Sequence, residues 1–504
     1  MMALTAASRE AEFPLEGRRR NVVLICCDAF RGGLGKSAGM QFDVCPHIDE
    51  LGAAGMTFRH AYCTMPLCVP SRISMLTGRW PDAHRVRMNL DAADAVFTKD
   101  LYQVAREGGY RTALTGKNHT YLKPNDVNFW SEYGHEGGHR DANSQAEVPS
   151  FEQWLKKQDM NVVQEPTPYP IEVQLSYRIV SDAIRFVRET GDHPFLLQVS
   201  FPEPHGPIQV PEPYWNMFDP GEMSEPKPGA EALRRLGYRM EWLSRLQEDG
   251  TPRSHGDWRR YLSNYFGAIR MVDDQIARLV AELDATGIRQ RTLIVFVADH
   301  GDFMMQYGLG RKGVGLSEAL THIPMVWNGA GIPASPANTR DMVSMADVMP
   351  TLCDAMGLKT PEGVQGRSLW KTLHDDASEE RPKSVYASAG LGGLYYDASD
   401  DPPLTVGEAP KNHHLWDTLN KVTQSGNQKM VRMGDWKLIY DMMGSGQLYN
   451  LKEDPYELSN RFGEESVRTI EAQLMQQLVR WLQYMENTVA QGKRSIRAAA
   501  ATRE

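Results

Sequence analysis

The chain predicts an α/β fold: a large, mostly parallel sheet with helices on both faces, plus a smaller C-terminal α+β part with an antiparallel sheet and a helix. Three observations carry this. Apolar runs of strand length alternate with helical patterns. Several runs stop abruptly at carboxylates, histidines or a lysine. Near residue 384 the texture changes to short alternating segments followed by an amphipathic helix.

Residues 22–27 are apolar throughout and end at Asp28. Residues 111–114 run into Thr115-Gly116-Lys117-Asn118-His119, and residues 195–200 into Phe201-Pro202-Glu203-Pro204-His205. Residues 293–298 run into Asp299-His300-Gly301-Asp302, and residues 324–327 into Asn328-Gly329. Unbroken apolar runs mark strands buried on both faces. Between them, Leu101, Val104 and Ala105, then residues 173–187, then Tyr265, Ala268, Ile269, Val272, Ile276, Leu279, Val280 and Leu283 follow helical spacing. In sheets of this kind ligands gather beyond the carboxyl ends of the strands, which is where the polar endings collect.

The expected division is a catalytic part at residues 1–383 and a smaller part at 384–504. The second contains a Gly- and Asp-rich stretch (388–403), alternating segments at 429–433, 436–440 and 447–449, and a helix presenting Val467, Ile470, Leu474, Leu478, Trp481, Leu482 and Met485. Residues 492–504 read as a frayed end.

With 504 residues, 41% hydrophobic, the chain can bury a large core. A net charge of −9 argues against a nucleic-acid partner yet leaves room for a local cationic pocket. There is no apolar run long enough for a membrane span, and Arg9, Glu10 and Glu12 stand where a secretory signal needs apolar residues, so a cytoplasmic protein is expected. Arg18-Arg19-Arg20 reads as a solvated tail. Six cysteines without a CxxC pair or a pairing pattern argue against a disulfide framework and a structural zinc site. Cys26-Cys27 reads as packing, and a homo-oligomer remains open.

The most informative string is Cys68-Val69-Pro70-Ser71-Arg72, followed by Leu76-Thr77-Gly78. A helix pattern starts at Pro70-Ser71, placing the cysteine at a helix amino terminus, where anions are favoured. A second string is Gly109-Tyr110-Arg111-Thr112-Ala113-Leu114-Thr115-Gly116-Lys117-Asn118-His119. Together they resemble the two signatures of the type I sulfatases, formylglycine-dependent members of the alkaline phosphatase superfamily with phosphonate monoester hydrolases as close relatives. The resemblance extends through Asp28, Pro46-His47, Pro204-His205, Asp299-His300-Gly301, Lys312-Gly313 and Leu448-Tyr449.

The resemblance implies hydrolysis of a small-molecule or carbohydrate sulfate ester by a metal-bound formylglycine hydrate, made from Cys68 by a formylglycine-generating enzyme. It implies a divalent cation, calcium or else manganese or magnesium, held by Asp28, Cys68, Asp299 and His300. Arg72 would orient the hydrate, and Lys117 would bind nucleophile and sulfate. His119 would take the proton that releases sulfate, while His205 and Lys312 would bind sulfate and protonate the leaving oxygen. One departure stands out: the family's next ligand position holds Ala29, so water or another residue must fill it. Asp302 reads as loop structure, and the sequon Asn118-His119-Thr120 lies inside the pocket.

Two alternatives remain. A phosphonate monoester or phosphodiester hydrolase would use the same nucleophile, and a silent member would bind sulfated ligands without turnover. The leaving group would be chosen by loops at residues 120–139, 207–255 and 390–419, with Trp130, Trp215, Trp242 and Trp258 as stacking candidates.

Overall fold

A run of branched and sulfur-bearing side chains with no polar break has no face to offer water, and β1 (Asn21–Asp28) is buried over all eight residues. The computed structural model describes residues 19–139, 146–158, 160–229, 232–249, 258–313, 315–335, 337–374, 382–397, 399–400 and 422–486. Among these, β1 sits inside a nine-stranded sheet with β2 (Met56–Tyr62), β3 (Arg111–Gly116), β4 (Phe129–Glu132), β5 (Phe195–Pro204), β6 (Thr292–Ala298), β7 (His322–Ile323), β8 (Met325–Gly329) and β9 (Asn338–Ser344). The spatial order is β4-β3-β5-β1-β6-β8-β2-β7, with β9 beside β2.

Strands β4, β3, β5, β1 and β6 are parallel, so β3, β5, β1 and β6 bring their polar endings to one edge. The run at 324–327 becomes β8, which is antiparallel to β6, and its Asn328-Gly329 ending goes to the opposite edge. There Asn328 donates to the Leu51 carbonyl at 2.9 Å.

The helix Leu175–Thr190 buries Leu175, Ile179, Ala183, Phe186 and Val187 along one stripe, packed on β5 and on the helix Trp258–Ala285. Residues 173–187 thus resolve into a short turn, Ile171–Val173, and a helix that starts after the extended Gln174. The helix Cys68–Thr77 is buried at all ten positions and ends at Gly78, whose φ of 62° is open to glycine. It starts two residues earlier than the pattern suggested. Pro70 falls in the first turn, where its missing N–H breaks no helical hydrogen bond.

Strands β10 (Ser384–Gly392), β11 (Gly426–Met433), β12 (Trp436–Asp441) and β13 (Gly446–Asn450) form a separate antiparallel sheet in that order. The helix Arg468–Met485 covers it with Leu474, Leu478, Trp481 and Met485. Leu482 turns away and is 36% exposed, because Trp481, one position and about 100° earlier, takes the inward seat. The expected frayed tail at 492–504, residues 398 and 401–403 of the Gly- and Asp-rich stretch, and residues 230–231, 250–255 and 401–419 of the candidate specificity loops lie outside the described residues.

The two sheets are joined by buried polar contacts. The Trp80 indole donates to the Tyr386 carbonyl at 3.1 Å and lies 5.3 Å from the Trp481 ring. Lys437 is wholly buried, with Nζ 3.0 Å from Glu318 Oε1 and 2.7 Å from Glu457 Oε1. Arg20 is not part of a solvated tail. Its guanidinium donates to the carbonyls of Ala330 (2.8 Å) and Ala355 (3.2 Å) and lies over Trp370, fastening the chain just ahead of β1. Among the described residues no helix is long and apolar enough to cross a membrane.

Lys437→Ala takes the cation away from the buried Glu457 carboxylate, while Glu318 keeps Arg432 and Tyr62, and urea unfolding is expected to register a loss of about 3–5 kcal/mol. Lys36→Ala, which removes an exposed pair with Asp43, is expected to change stability by less than about 1 kcal/mol. A second expectation concerns Glu203 at the end of β5. Burial raises its carboxyl to about 7, although its own N–H and that of Ser176 oppose the shift. The folded state therefore binds the proton more tightly than the unfolded chain, and stability falls as pH rises from about 4.5 to 7. Glu203→Gln should match the wild type near pH 4 and exceed it by up to about 3 kcal/mol at pH 8. Parallel stability curves for the two proteins would refute this.

Candidate active site

The carboxyl edge of the sheet assembles the site from separate strands. Asp28 closes β1 at a slip in the β1–β5 register. Lys117 follows Gly116, where φ is 102° and an added Cβ would lie 1.9 Å from the Ser200 carbonyl oxygen. Asp299 and His300 follow β6, with the Asp299 N–H donating to the Cys27 carbonyl at 3.1 Å. Cys68 opens the helix Cys68–Thr77, whose amino terminus carries positive potential.

Cys68 Sγ lies 3.5 Å from Asp28 Oδ1, 3.3 Å from His300 Nε2 and 3.2 Å from Lys312 Nζ. Arg72, one turn later and fully buried, donates from Nε to Asp299 Oδ2 at 2.7 Å. Its Nη1 donates to Ser200 Oγ at 2.7 Å and to the Lys117 carbonyl at 3.2 Å. Burial alone would weaken the guanidinium's hold on its proton, but Asp299 reverses this and raises it above the usual arginine value. Asp299 is held well below the carboxylate range: burial pushes the other way, and the Arg72 guanidinium at 2.7 Å with the two lysines prevails. Burial pushes the Cys68 thiol up, and Lys312 offsets this only in part. An unmodified cysteine here is a thiol rather than a thiolate.

His300 donates from Nδ1 to the Gly301 carbonyl at 2.8 Å, which leaves the lone pair of Nε2 facing Cys68. Burial lowers this imidazole to about 3, so it stays neutral. The ligand atoms of Asp28, Cys68, Asp299 and His300 lie within 4.8 Å of one another. Two carboxylates, a neutral imidazole with its second nitrogen tied back, and a fourth side chain fit a divalent cation. Ala29 adds no side-chain ligand. Its φ is 61°, its N–H donates to Asp299 Oδ1 at 3.1 Å, and its carbonyl accepts from Tyr265. Asp302 stays outside the cluster, accepting from Tyr261 and the Met304 N–H.

Beside the metal-type cluster lies a group of imidazoles. Lys117 Nζ donates to Asp28 Oδ2 and, at 2.8 Å, to His135 Nε2. The His135 ring centroid lies 4.3 Å from that of His205 and 6.4 Å from that of His119. Burial, then the nearby lysines, hold all three well below the usual histidine value. Burial also lowers Lys117, to about 7, against the pull of Asp299.

The nine expected catalytic and metal residues, Asp28, Cys68, Arg72, Lys117, His119, His205, Asp299, His300 and Lys312, thus lie in this region, and sequence reasoning missed two neighbours. Ser200 is hidden within an apolar strand. His135 belongs to Tyr133-Gly134-His135-Glu136-Gly137-Gly138-His139, where nothing local separates it from His139. Asn118 is buried, its amide bonded to Leu122 and Thr120. Trp242 and Trp215 are core residues, at 2% and 8% exposure, so neither is a stacking platform. His322 donates to the Arg59 carbonyl at 2.9 Å and abuts Gly32, a packing role.

The model of the sulfatase family matches residues 20–358. An arylsulfatase of Clostridium perfringens is 24% identical over 95% of this chain and 97% of its own. The multifunctional alkaline phosphatase superfamily protein PehA of Trinickia caryophylli is 26% identical over 92% and 95%. The crystal structure of the phosphonate monoester hydrolase of Agrobacterium radiobacter superposes with a TM-score of 0.72, at 24% identity, over 92% of this chain and 96% of that one.

If the four-residue cluster is the metal site, His300→Ala should weaken binding of Mn2+ or Ca2+ by at least about tenfold in equilibrium dialysis. Asp302→Asn, in the neighbouring loop, should leave it unchanged. Undiminished affinity in the His300 variant would place the ion elsewhere.

Proposed function

The chain belongs to the sulfatase family and is a sulfuric ester hydrolase, and from that premise we propose that residue 68, converted from cysteine to formylglycine by a formylglycine-generating enzyme, is its nucleophile. The observation that carries this reading is the convergence on Cys68 Sγ of Asp28, His300 and Lys312 at a helix amino terminus. The elevated thiol value supports it too, since a buried protonated cysteine is a poor nucleophile and a poor ligand.

Asp28, Asp299, His300 and residue 68 would hold the divalent ion, calcium or, given the imidazole donor, manganese or magnesium. When bound, such an ion neutralises the nonbridging sulfate oxygens and eases ionisation of the attacking hydroxyl. Arg72 keeps Asp299 and the Lys117 backbone in place. The Lys117 and Lys312 ammonium groups donate to sulfate oxygens, and Lys312 supplies the proton of the leaving alcohol oxygen. His205 donates from Nδ1 to the Gly206 carbonyl at 3.1 Å, and burial keeps the ring neutral, so Nε2 carries no proton; the expected sulfate-binding and acid role of His205 therefore passes to Lys312 in this reading. His119, neutral in the free protein, takes the proton whose loss lets the second hydroxyl of the hydrate expel sulfate.

A second reading is favoured by the charge of the pocket. Phosphonate monoesters and phosphodiesters are tetrahedral monoanions like sulfate monoesters, and the same lysines and the His300-containing cluster suit all three.

Protein made with a formylglycine-generating activity should carry the aldehyde at position 68 by peptide mass spectrometry. It should turn over an aryl sulfate faster than an aryl phosphonate, and lose turnover on chelation. Cys68→Ala should lower kcat by about 10³-fold or more. A fully retained thiol in an active preparation would refute the formylglycine route, and a higher kcat/KM on the phosphonate would favour the second reading.

A further inference from the structure

We propose that His135 is a positioning residue of this site, its Nε2 accepting a hydrogen bond from the Lys117 ammonium and its ring bracing His205. The contact between Lys117 Nζ and the Asp28 carboxylate favours the ammonium form, which has three donors and no acceptor, so across the 2.8 Å contact His135 Nε2 accepts. One further Lys117 donor goes to Asp28 Oδ2. With two of three N–H bonds committed, the direction of the third is set, and that is the one left for a substrate oxygen. The same ring lies 4.3 Å from His205, inclined by 37°, so a single imidazole ties together two groups from different strand ends.

The backbone around His135 is built to hold it. The Gly134 N–H donates to the Gly137 carbonyl at 2.7 Å, and the His139 N–H donates to the Glu132 carbonyl at 2.8 Å. The Gly138 N–H donates to Glu152 Oε1 at 3.1 Å, and Glu152 in turn pairs with Arg178 at 2.9 Å. Arg178 also lies over Tyr133 and reaches the His139 carbonyl. At Gly137, φ is 150° and an added Cβ would press on Glu152. This closed turn, after β4, inserts His135 between Lys117 and His205. The effect on turnover rests on the sulfatase reading, whereas the placement of Lys117 does not.

The test compares His135→Ala, His135→Gln and His135→Asn in metal-loaded, formylglycine-bearing protein with an aryl sulfate as probe. A glutamine oxygen reaches the place of Nε2, while asparagine stops near Nδ1. His135→Ala should lower kcat by about 10–100-fold with metal content unchanged. His135→Gln should recover most of the loss and His135→Asn little. In crystal structures the Lys117 ammonium should be displaced in the Ala variant and restored in the Gln variant. Wild-type kcat in His135→Ala, equal deficits in Gln and Asn, or an unmoved Lys117 would overturn the proposal. If the wild-type protein turns over no sulfate ester, the functional reading fails, and the position of Lys117 in the variant crystals still decides the role of His135.

Discussion

Arg72 carries a permanent charge into the middle of the protein, and the site depends on how that charge is satisfied. A lone buried guanidinium would cost far more than any fold can spare. Here the planar fork spreads its donors over Asp299 beyond β6, Ser200 on β5 and the Lys117 carbonyl beyond β3. One side chain thereby fixes three strand ends relative to the Cys68 helix. Lysine, a point charge with no fork, could not hold that set of directions.

The same economy of charge explains the rest of the pocket. Lys117, Lys312 and Arg72 face Asp28 and Asp299, all five of them buried. Each pair is stabilised by its neighbours, but every group also bears the desolvation that drags Lys117 toward 7 and keeps the imidazoles neutral. A divalent ion between the carboxylates would leave a surplus of positive charge, and a tetrahedral anion is the natural complement. Three cations facing two carboxylates give this pocket a local positive excess inside a chain whose net charge is −9.

Much of this was legible before any coordinates. Strands buried on both faces have to be apolar, so polar residues at the ends of β1, β3, β5 and β6 stood out against them. Side chains recruited from loops left no such contrast: His135 looks like any histidine in a glycine-rich turn. Ser200 is one hydroxyl in a hydrophobic strand, and its value lies in where β5 sits relative to Arg72. Arg20 was misread because charge in an apparent tail implies solvent, whereas here carbonyls at the amino edge of the sheet receive it. The direction of β8 was equally hidden, since an apolar run does not encode its sense.

The second sheet supports the segment that carries Lys312, whose Nζ lies 3.2 Å from Cys68 Sγ. Gln424 donates to the Gly313 carbonyl at 2.7 Å, next to Lys312 itself. Six residues beyond Lys312, Glu318 is gripped by Lys437 and Arg432 from β12 and β11 and by Tyr62 from β2, while its N–H donates to Glu457. On the other side of that segment, the Tyr307 hydroxyl donates to the Tyr456 carbonyl at 2.6 Å. A flexible lysine makes a reliable contact with residue 68 only if its backbone is held. The buried ions of the antiparallel sheet provide that hold, which makes this sheet part of the scaffold of the site as well as a cover for the core.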